Sequence, residues 1–307
     1  MGTDPAANGE LAYGAVRVSI PRDHRMGELE GPSIFKLEFS PDQTKHIVVV
    51  GRPLLGAQAA VFNQIRQDLK EGKEPTALVF VHGFATSFQD AARRTAQLSY
   101  DLGFTGIPVL YTWASKGSIS PLAYNHDGRN AELTSVKFQQ FLVSLAQQAG
   151  LKSVHVIAHS MGTRVVSKSL AELSRAQPRV AVQQVALFAP DIDADLFRQL
   201  SATMKTGARR ITLYASSKDI ALSASQRYAT YPRAGQGGEG LVIVPGVDTI
   251  DASSVDTNPL AFFHGYYGDS RSVISDLFYT LRGLMPKDRQ GLIARDKAGQ
   301  TYWAFRP

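Results

Sequence analysis

The sequence predicts a single α/β domain with a mostly parallel central sheet and helices on both faces of that sheet. Three observations support this: strand-length runs rich in Val and Ile recur along the chain, stretches with helical spacing separate them, and the composition suits a buried core. Of the 307 residues, 44% are hydrophobic and 20% are charged, as in globular domains. Near-continuous apolar runs are typical of strands that a parallel sheet buries on both faces, and their alternation with helices indicates a doubly wound arrangement.

Seven runs are the clearest strand candidates. In chain order they are HIVVVG (46–51), TALVFVHG (76–83), IPVLYTW (107–113), SVHVIAHS (153–160), VQQVALFAP (182–190), RRITLYAS (209–216) and GLVIVPG (240–246). Before the core, GAVRVSIP and IFKLEFS indicate an antiparallel pair at the start of the sheet. After it, LIARDKAGQTYWAF indicates a hairpin around Lys297 to Gln300.

Helical spacing is clearest in two stretches between these runs. One face is marked by Phe138, Phe141, Leu142 and Leu145, and another by Val166, Ser169, Leu170 and Leu173, with the period of an amphipathic helix. Ser87 and Asp90 form a capping-box pattern that predicts a helix after the strand TALVFVHG. No composition shift marks a second domain. We therefore expect a flexible tail over 1–12, one domain over 13–290 and a hairpin or tail over 291–307 packed on it.

Composition and missing motifs narrow the class of protein. The formal net charge is +6, but the basic residues are scattered, whereas nucleic-acid binding needs them clustered on one face; we predict no nucleic-acid partner. The absence of Cys excludes disulfides and a thiolate nucleophile. No metal-binding or phosphate-binding motif is present, so we predict no metal and no organic cofactor.

The start of the chain lacks the basic and apolar regions of a secretion signal, and no run has the length of a membrane span. The sequence as it stands predicts a cytoplasmic protein, or a secreted or lipid-anchored one if a leader once preceded it. Nothing in the sequence indicates an oligomeric state.

The clearest candidate for a catalytic motif is Ala158-His159-Ser160-Met161-Gly162, which joins a predicted strand to a predicted helix. It matches the nucleophile-elbow pattern G-x-S-x-G, with Ala158 in place of the first glycine. The turn is tight, and large side chains two positions before or after the serine would collide with the neighbouring helix and strand. The alternative interpretation is an ordinary strand-to-helix turn with a capping serine.

A serine of this kind needs a histidine and an acid, which follow it in the chain order Ser, acid, His. Of the seven histidines only His264 lies after Ser160, and it follows the last strand candidate of the core. Asp219 follows the strand RRITLYAS, in the usual place for a carboxylate that orients the histidine. Asp191 and Asp193, after the preceding strand, are the alternative acids, although an Asp in that position is often a helix cap.

Two backbone N–H groups are candidates to stabilise an oxyanion. One belongs to Phe84, in the turn that follows TALVFVHG, and the other to Met161, at the start of the helix after the serine. Gly83 is expected to permit the twist of the first turn. His82 is expected to hold that turn rather than to carry a proton.

The expected substrate site is lightly covered. The segment from Asp191 to Ala208 has room for about one helix and little more, so we expect a minimal cap and an open cleft. Such a cleft suits short acyl esters or bulky and polymeric ones. Its apolar wall has five candidates: Trp113, Tyr124, Met161, Phe84 and Tyr266.

The chain resembles the α/β-hydrolases of the esterase/lipase superfamily, and in more detail a bacterial group of α/β-hydrolase domains of unknown function. The resemblance covers nearly the whole chain and rests on VFVHGFATSF (79–88), YTWASKG (111–117), VHVIAHSMG (154–162), LFAPDID (187–193) and FFHGYYGDS (262–270). It implies the α/β-hydrolase fold and hydrolysis of carboxylic esters by a serine triad. An amidase or thioesterase would use the same triad, and a catalytically silent fold that binds a ligand or partner stays open.

Overall fold

The computed structural model describes residues 9–32, 40–173, 180, 182–218, 231–255 and 271–306. In these ranges the chain forms ten strands and six α-helices. In order they are β1 (Tyr13–Ser19), β2 (Val48–Gly56), α1 (Gln58–Lys70), β3 (Thr76–Val81), α2 (Phe88–Asp101), β4 (Ile107–Tyr111), α3 (Pro121–Gln148), β5 (Ser153–His159), α4 (Gly162–Leu173), β6 (Val182–Phe188), α5 (Ala194–Gly207), β7 (Arg210–Ala215), β8 (Val247–Asp251), α6 (Arg271–Leu281), β9 (Leu292–Lys297) and β10 (Gln300–Phe305).

Eight strands form the central sheet, in the order β4-β3-β5-β6-β7-β8-β10-β9. The strands from β3 to β8 pair in parallel, β10 is parallel to β8, and β9 alone is antiparallel to its neighbour. The predicted mostly parallel sheet is therefore confirmed. Parallel strands bring the loops after their carboxyl ends to one edge, where open α/β sheets bind ligands; the turn that contains Ser160 follows β5 at this edge.

The sheet is buried on both faces. Along β3, Val79 and Val81 belong to a core shared with α1, α3, α4 and α5, whereas Leu78 and Phe80 belong to a core shared with α2 and α6. This alternation follows from the two-residue period of a strand. It explains why the strands appear in the sequence as continuous apolar runs, and it confirms the prediction of helices on both faces.

Several local predictions are also confirmed. The Ser87 side chain accepts a hydrogen bond from Asp90 N at 3.1 Å and caps α2. The predicted C-terminal hairpin is formed by β9 and β10, and its two turn residues, Ala298 and Gly299, have φ values of 53° and 77°. Tight two-residue hairpin turns of this hand need positive φ at both positions. No helix in the described ranges is long and apolar enough to cross a membrane.

Two strand predictions are wrong. The run GLVIVPG is not a strand: residues 241–244 are irregular, a turn follows at Pro245 and Gly246, and the sheet strand is β8, which begins at Val247. The run is apolar because Leu241 and Val242 are buried in the core, and an apolar run reports burial rather than strand pairing. Pro245 has no N–H to donate to a neighbouring strand, which disfavours a continuous strand through it.

The run HIVVVG was predicted as a buried core strand, but β2 pairs antiparallel with β1 in a separate two-stranded sheet. This small sheet is largely open, and Leu54 and Leu55 are each 67% exposed. The predicted partner of β1, IFKLEFS, falls mostly outside the described residues, because 33–39 are not described. The N-terminal pair is thus not an extension of the central sheet.

Candidate active site

Ser160 lies at a sharp turn between β5 and α4 with φ at +50°. A residue other than glycine rarely adopts this left-handed backbone, and it persists where surrounding contacts determine the conformation. Those contacts are present: Ser160 N–H donates to the carbonyl of Phe188 in β6 at 2.9 Å, and Ser160 O accepts from Thr163 N at 3.0 Å. Ser160 is only 2% exposed.

Close backbone contacts explain the small residues around this turn. A Cβ atom added at Gly162 would lie 2.4 Å from the carbonyl oxygen of His82 and 2.7 Å from that of Val81. One added at Gly83 would lie 2.9 Å from the Ser160 Cβ. Gly83 was expected to permit a backbone twist, but its φ is not in the left-handed region. It is needed instead because the turn after β3 packs directly against Ser160.

The N–H groups of Phe84 and Met161 are both available at this place. Within the described ranges, neither donates a hydrogen bond to another residue. Phe84 precedes Ala85, which has a strained φ of +52°, and Met161 directly precedes α4, where the helix dipole is positive. Since the Gly83 turn touches Ser160, the two N–H groups belong to two turns that are in contact.

The buried His82 supports the first of these turns. Its Nδ1 donates to the carbonyl of Gly83 at 2.9 Å, so its Nε2 is free of a proton and accepts from Trp113 N–H at 3.2 Å. The indole of Trp113 stacks on the imidazole at 5.0 Å and donates to the His82 carbonyl at 2.9 Å. Burial lowers the pKa of His82 to about 4. His82 is therefore neutral near pH 7, and Trp113, a predicted wall residue, lies buried beside it.

The alternative acid Asp191 is the centre of a buried polar cluster. Its Oδ2 accepts from the Tyr124 hydroxyl at 2.8 Å and from Arg164 Nη2 at 3.2 Å, and its Oδ1 lies 3.0 Å from Arg233 Nε. Burial alone lowers the pKa of Arg164, but the charge of Asp191 and the contact with Tyr124 more than offset it, so the pKa lies above its ordinary value. We call these four residues, Tyr124, Arg164, Asp191 and Arg233, the arginine cluster.

The other alternative acid, Asp193, has a different role. Its Oδ1 accepts from Leu196 N at 2.8 Å and caps α5. This helix occupies the short segment after β6, as the length of that segment predicted. Of the remaining wall candidates, Phe84 packs edge-on against Tyr124 with ring centroids 5.4 Å apart, and Met161 is fully buried.

Three predicted site residues, Asp219, His264 and Tyr266, lie outside the described residues. By chain order, Asp219 follows β7, whereas His264 lies between β8 and α6. Arg164 and Arg233 were missed by the sequence reasoning. Arg164 could have been noticed because it follows Ser160 by one helical turn, but no local pattern connects Arg233 to a tyrosine 109 positions earlier.

A concave place lies outside the surroundings of Ser160. A cavity of about 450 Å³ is formed between the β1–β2 sheet and α3, with Tyr13, Leu55, Lys137 and Phe141 in its lining. None of the residues around Ser160 lines it. In the described part of the chain, no group of three or more His, Asp or Glu residues could hold a metal ion.

Comparison with known proteins gives a family and several similar folds. The family model that describes an alpha/beta hydrolase of unknown function (DUF900) matches residues 57–280, from α1 to α6. The chain is similar to a dienelactone hydrolase from Anabaena variabilis, with a TM-score of 0.45 and 12% identity over 90% of this chain and 98% of that one. It is also similar to a fungal esterase from Rhizomucor miehei, with a TM-score of 0.37 and 15% identity over 69% and 76% of the two chains. No curated protein sequence matches.

Proposed function

Because the chain belongs to the DUF900 family of α/β hydrolases, we propose that it is a serine hydrolase that cleaves carboxylic esters with Ser160, His264 and Asp219. The observation that carries the proposal is the strained backbone of Ser160. Met161 follows it directly and the turn before Phe84 packs against it, and the N–H groups of both residues have no acceptor in the described ranges. A capping serine needs neither feature. Strain of this kind is typical of catalytic turns.

In the proposed reaction, His264 accepts the hydroxyl proton of Ser160 as Oγ attacks the ester carbonyl carbon. The resulting oxyanion is bound by the N–H groups of Phe84 and Met161. When the tetrahedral intermediate collapses, the C–O bond to the alcohol breaks and His264 gives its proton to the leaving oxygen. Water, deprotonated by the same histidine, then releases the acid and restores Ser160. Asp219 holds the imidazole in the tautomer that this sequence requires.

Asp219 is favoured as the acid because its alternatives are engaged elsewhere. Each oxygen of the Asp191 carboxylate faces a guanidinium, and Oδ2 also accepts from Tyr124. Asp193 caps α5. Replacement of the true acid by Asn should lower kcat by about 10⁴-fold. If Asp219→Asn keeps wild-type activity while Asp191→Asn loses it in a folded protein, the assignment is wrong.

The test is labelling with a fluorophosphonate, which forms an adduct only with an activated serine, followed by peptide mapping. We expect one adduct on Ser160, lost in Ser160→Ala and in His264→Ala. Ser118→Ala, which changes an exposed serine, is the control and should label normally. Absence of an adduct on the folded wild-type protein would contradict the proposal and favour a silent, ligand-binding fold. Labelling without hydrolysis of simple esters would direct the search to amides and thioesters.

A further inference from the structure

The arginine cluster carries more positive charge than its own carboxylate can balance. It contains two guanidinium groups and one carboxylate, and Arg233 and Asp191 are each 1% exposed. In the described ranges no second carboxylate lies within ion-pair distance of Arg164 or Arg233. A buried charge without a partner is costly. Counted over the described residues, the cluster therefore has one net positive charge, which a bound monoanion would balance.

Arg233 also has hydrogen-bond donors to spare. Its Nη2 donates to the Tyr124 hydroxyl at 2.7 Å, whereas its buried Nη1 has no acceptor among the described residues. Its guanidinium plane is held over the ring of Tyr231 at 4.4 Å. Leaving a buried donor without an acceptor is costly. A carboxylate is the acceptor whose two oxygens match the planar fork of an arginine.

The cluster adjoins the two turns of the proposed active site. Asp191 N–H donates to Ser160 O at 3.3 Å, and Arg164 N–H donates to Met161 O at 3.1 Å. The Tyr124 ring contacts the ring of Phe84, whose N–H is the other proposed oxyanion donor. Each contact reaches Ser160 or one of the two residues that supply those donors. The cluster thus lies beside the proposed active site.

We infer that Arg164 and Arg233 form a subsite for a carboxylate of the substrate, so that the protein prefers half-esters of dicarboxylic acids to neutral esters. This inference rests on the proposed function. One net positive charge fits a monoanionic carboxylate better than a dianionic phosphate. The cluster positions the substrate and takes no part in bond making or breaking.

The test compares two esters of the same length on the wild-type protein. Mono-4-nitrophenyl adipate has a free carboxylate, and methyl 4-nitrophenyl adipate has that group neutralised; kcat/KM is measured for both after subtraction of spontaneous hydrolysis. We expect the charged ester to be preferred at least about 10-fold, which corresponds to about 1.4 kcal/mol. Arg233→Met should lower this ratio towards one. Arg198→Met, at an arginine that pairs with Asp195 on the surface of α5, should leave the ratio unchanged.

The outcomes separate this inference from the proposed function. Labelling of Ser160 together with equal rates for both esters, or with faster hydrolysis of the neutral ester, would overturn the subsite and leave the serine hydrolase intact. No labelling and no hydrolysis of either ester would overturn both. If Arg233→Met does not fold, Arg164→Gln takes its place as the variant. If neither variant folds, the ratio of the two esters on the wild-type protein decides.

Discussion

The contact between Gly162 and β3 gives the sharpest test of how the site is built. In Gly162→Ala, the new Cβ would lie 2.4 Å from the carbonyl oxygen of His82 and 2.7 Å from that of Val81. Ordinary contacts of a Cβ atom begin at 3.4 Å, so the start of α4 must move away from β3 by up to about 1 Å. Both partners are backbone atoms, which no change of rotamer can relieve.

We expect two effects of this displacement. Overpacking of a tight site costs about 1–3 kcal/mol, which corresponds to a fall in Tm of roughly 2–12 °C at about 2–4 °C per kcal/mol in a domain of about this size. The movement also displaces Met161 N–H relative to Ser160. A misplacement of about 1 Å can cost about 10²-fold in rate. Fluorophosphonate labelling of Ser160 should therefore slow far more than the loss of stability explains.

The assay is the second-order rate of labelling, measured beside thermal unfolding on the same preparation. Gly56→Ala is the matched control, because Gly56 has an ordinary φ and nothing lies within 4 Å of an added Cβ. It should leave the labelling rate unchanged and leave Tm equal or slightly higher, since alanine restricts the unfolded chain. A Gly162→Ala protein with wild-type Tm and wild-type labelling would refute the packing argument.

Three further predictions follow from buried groups. Burial lowers the pKa of His82 from 6.5 to about 4, so on acidification the unfolded state binds the proton first. The free energy of unfolding should therefore fall by about 3 kcal/mol between pH 7 and pH 4. Urea titrations of His82→Gln at the two pH values should lack this fall. Burial alone lowers the pKa of His24, but its hydrogen bonds to Glu30 and Asp101 raise it overall. The resulting stabilisation should be complete below about pH 6.5 and be lost as pH rises through the folded pKa; a difference between wild type and His24→Asn that grows with pH would contradict this. Phe138 lies on α3 and is fully buried in the core, so Phe138→Ala should lower the free energy of unfolding by about 3–5 kcal/mol. A loss of less than about 1 kcal/mol in chemical denaturation would show that the packing is wrong.

Local patterns predicted the local backbone well. The spacing around Ser160 predicted a tight turn, the pair Ser87 and Asp90 predicted a cap, and the segment around Lys297 predicted a hairpin; each is present. These features depend on a few adjacent residues whose steric and hydrogen-bonding preferences act within one turn. The order of Ser160, Asp219 and His264 is likewise a property of the chain, and their assignment as a triad stays a prediction.

Long-range features depended on the tertiary structure. Apolar runs show that a segment is buried but not what it pairs with, so HIVVVG and GLVIVPG were both assigned to the central sheet in error. Gly83 is explained by a turn that approaches it from 77 positions later in the chain. Arg233 meets Asp191 and Tyr124 only because the carboxyl ends of parallel strands share an edge. The sequence by itself determined which residue is the candidate nucleophile, whereas the packing of distant segments decided which charged side chains lie near it.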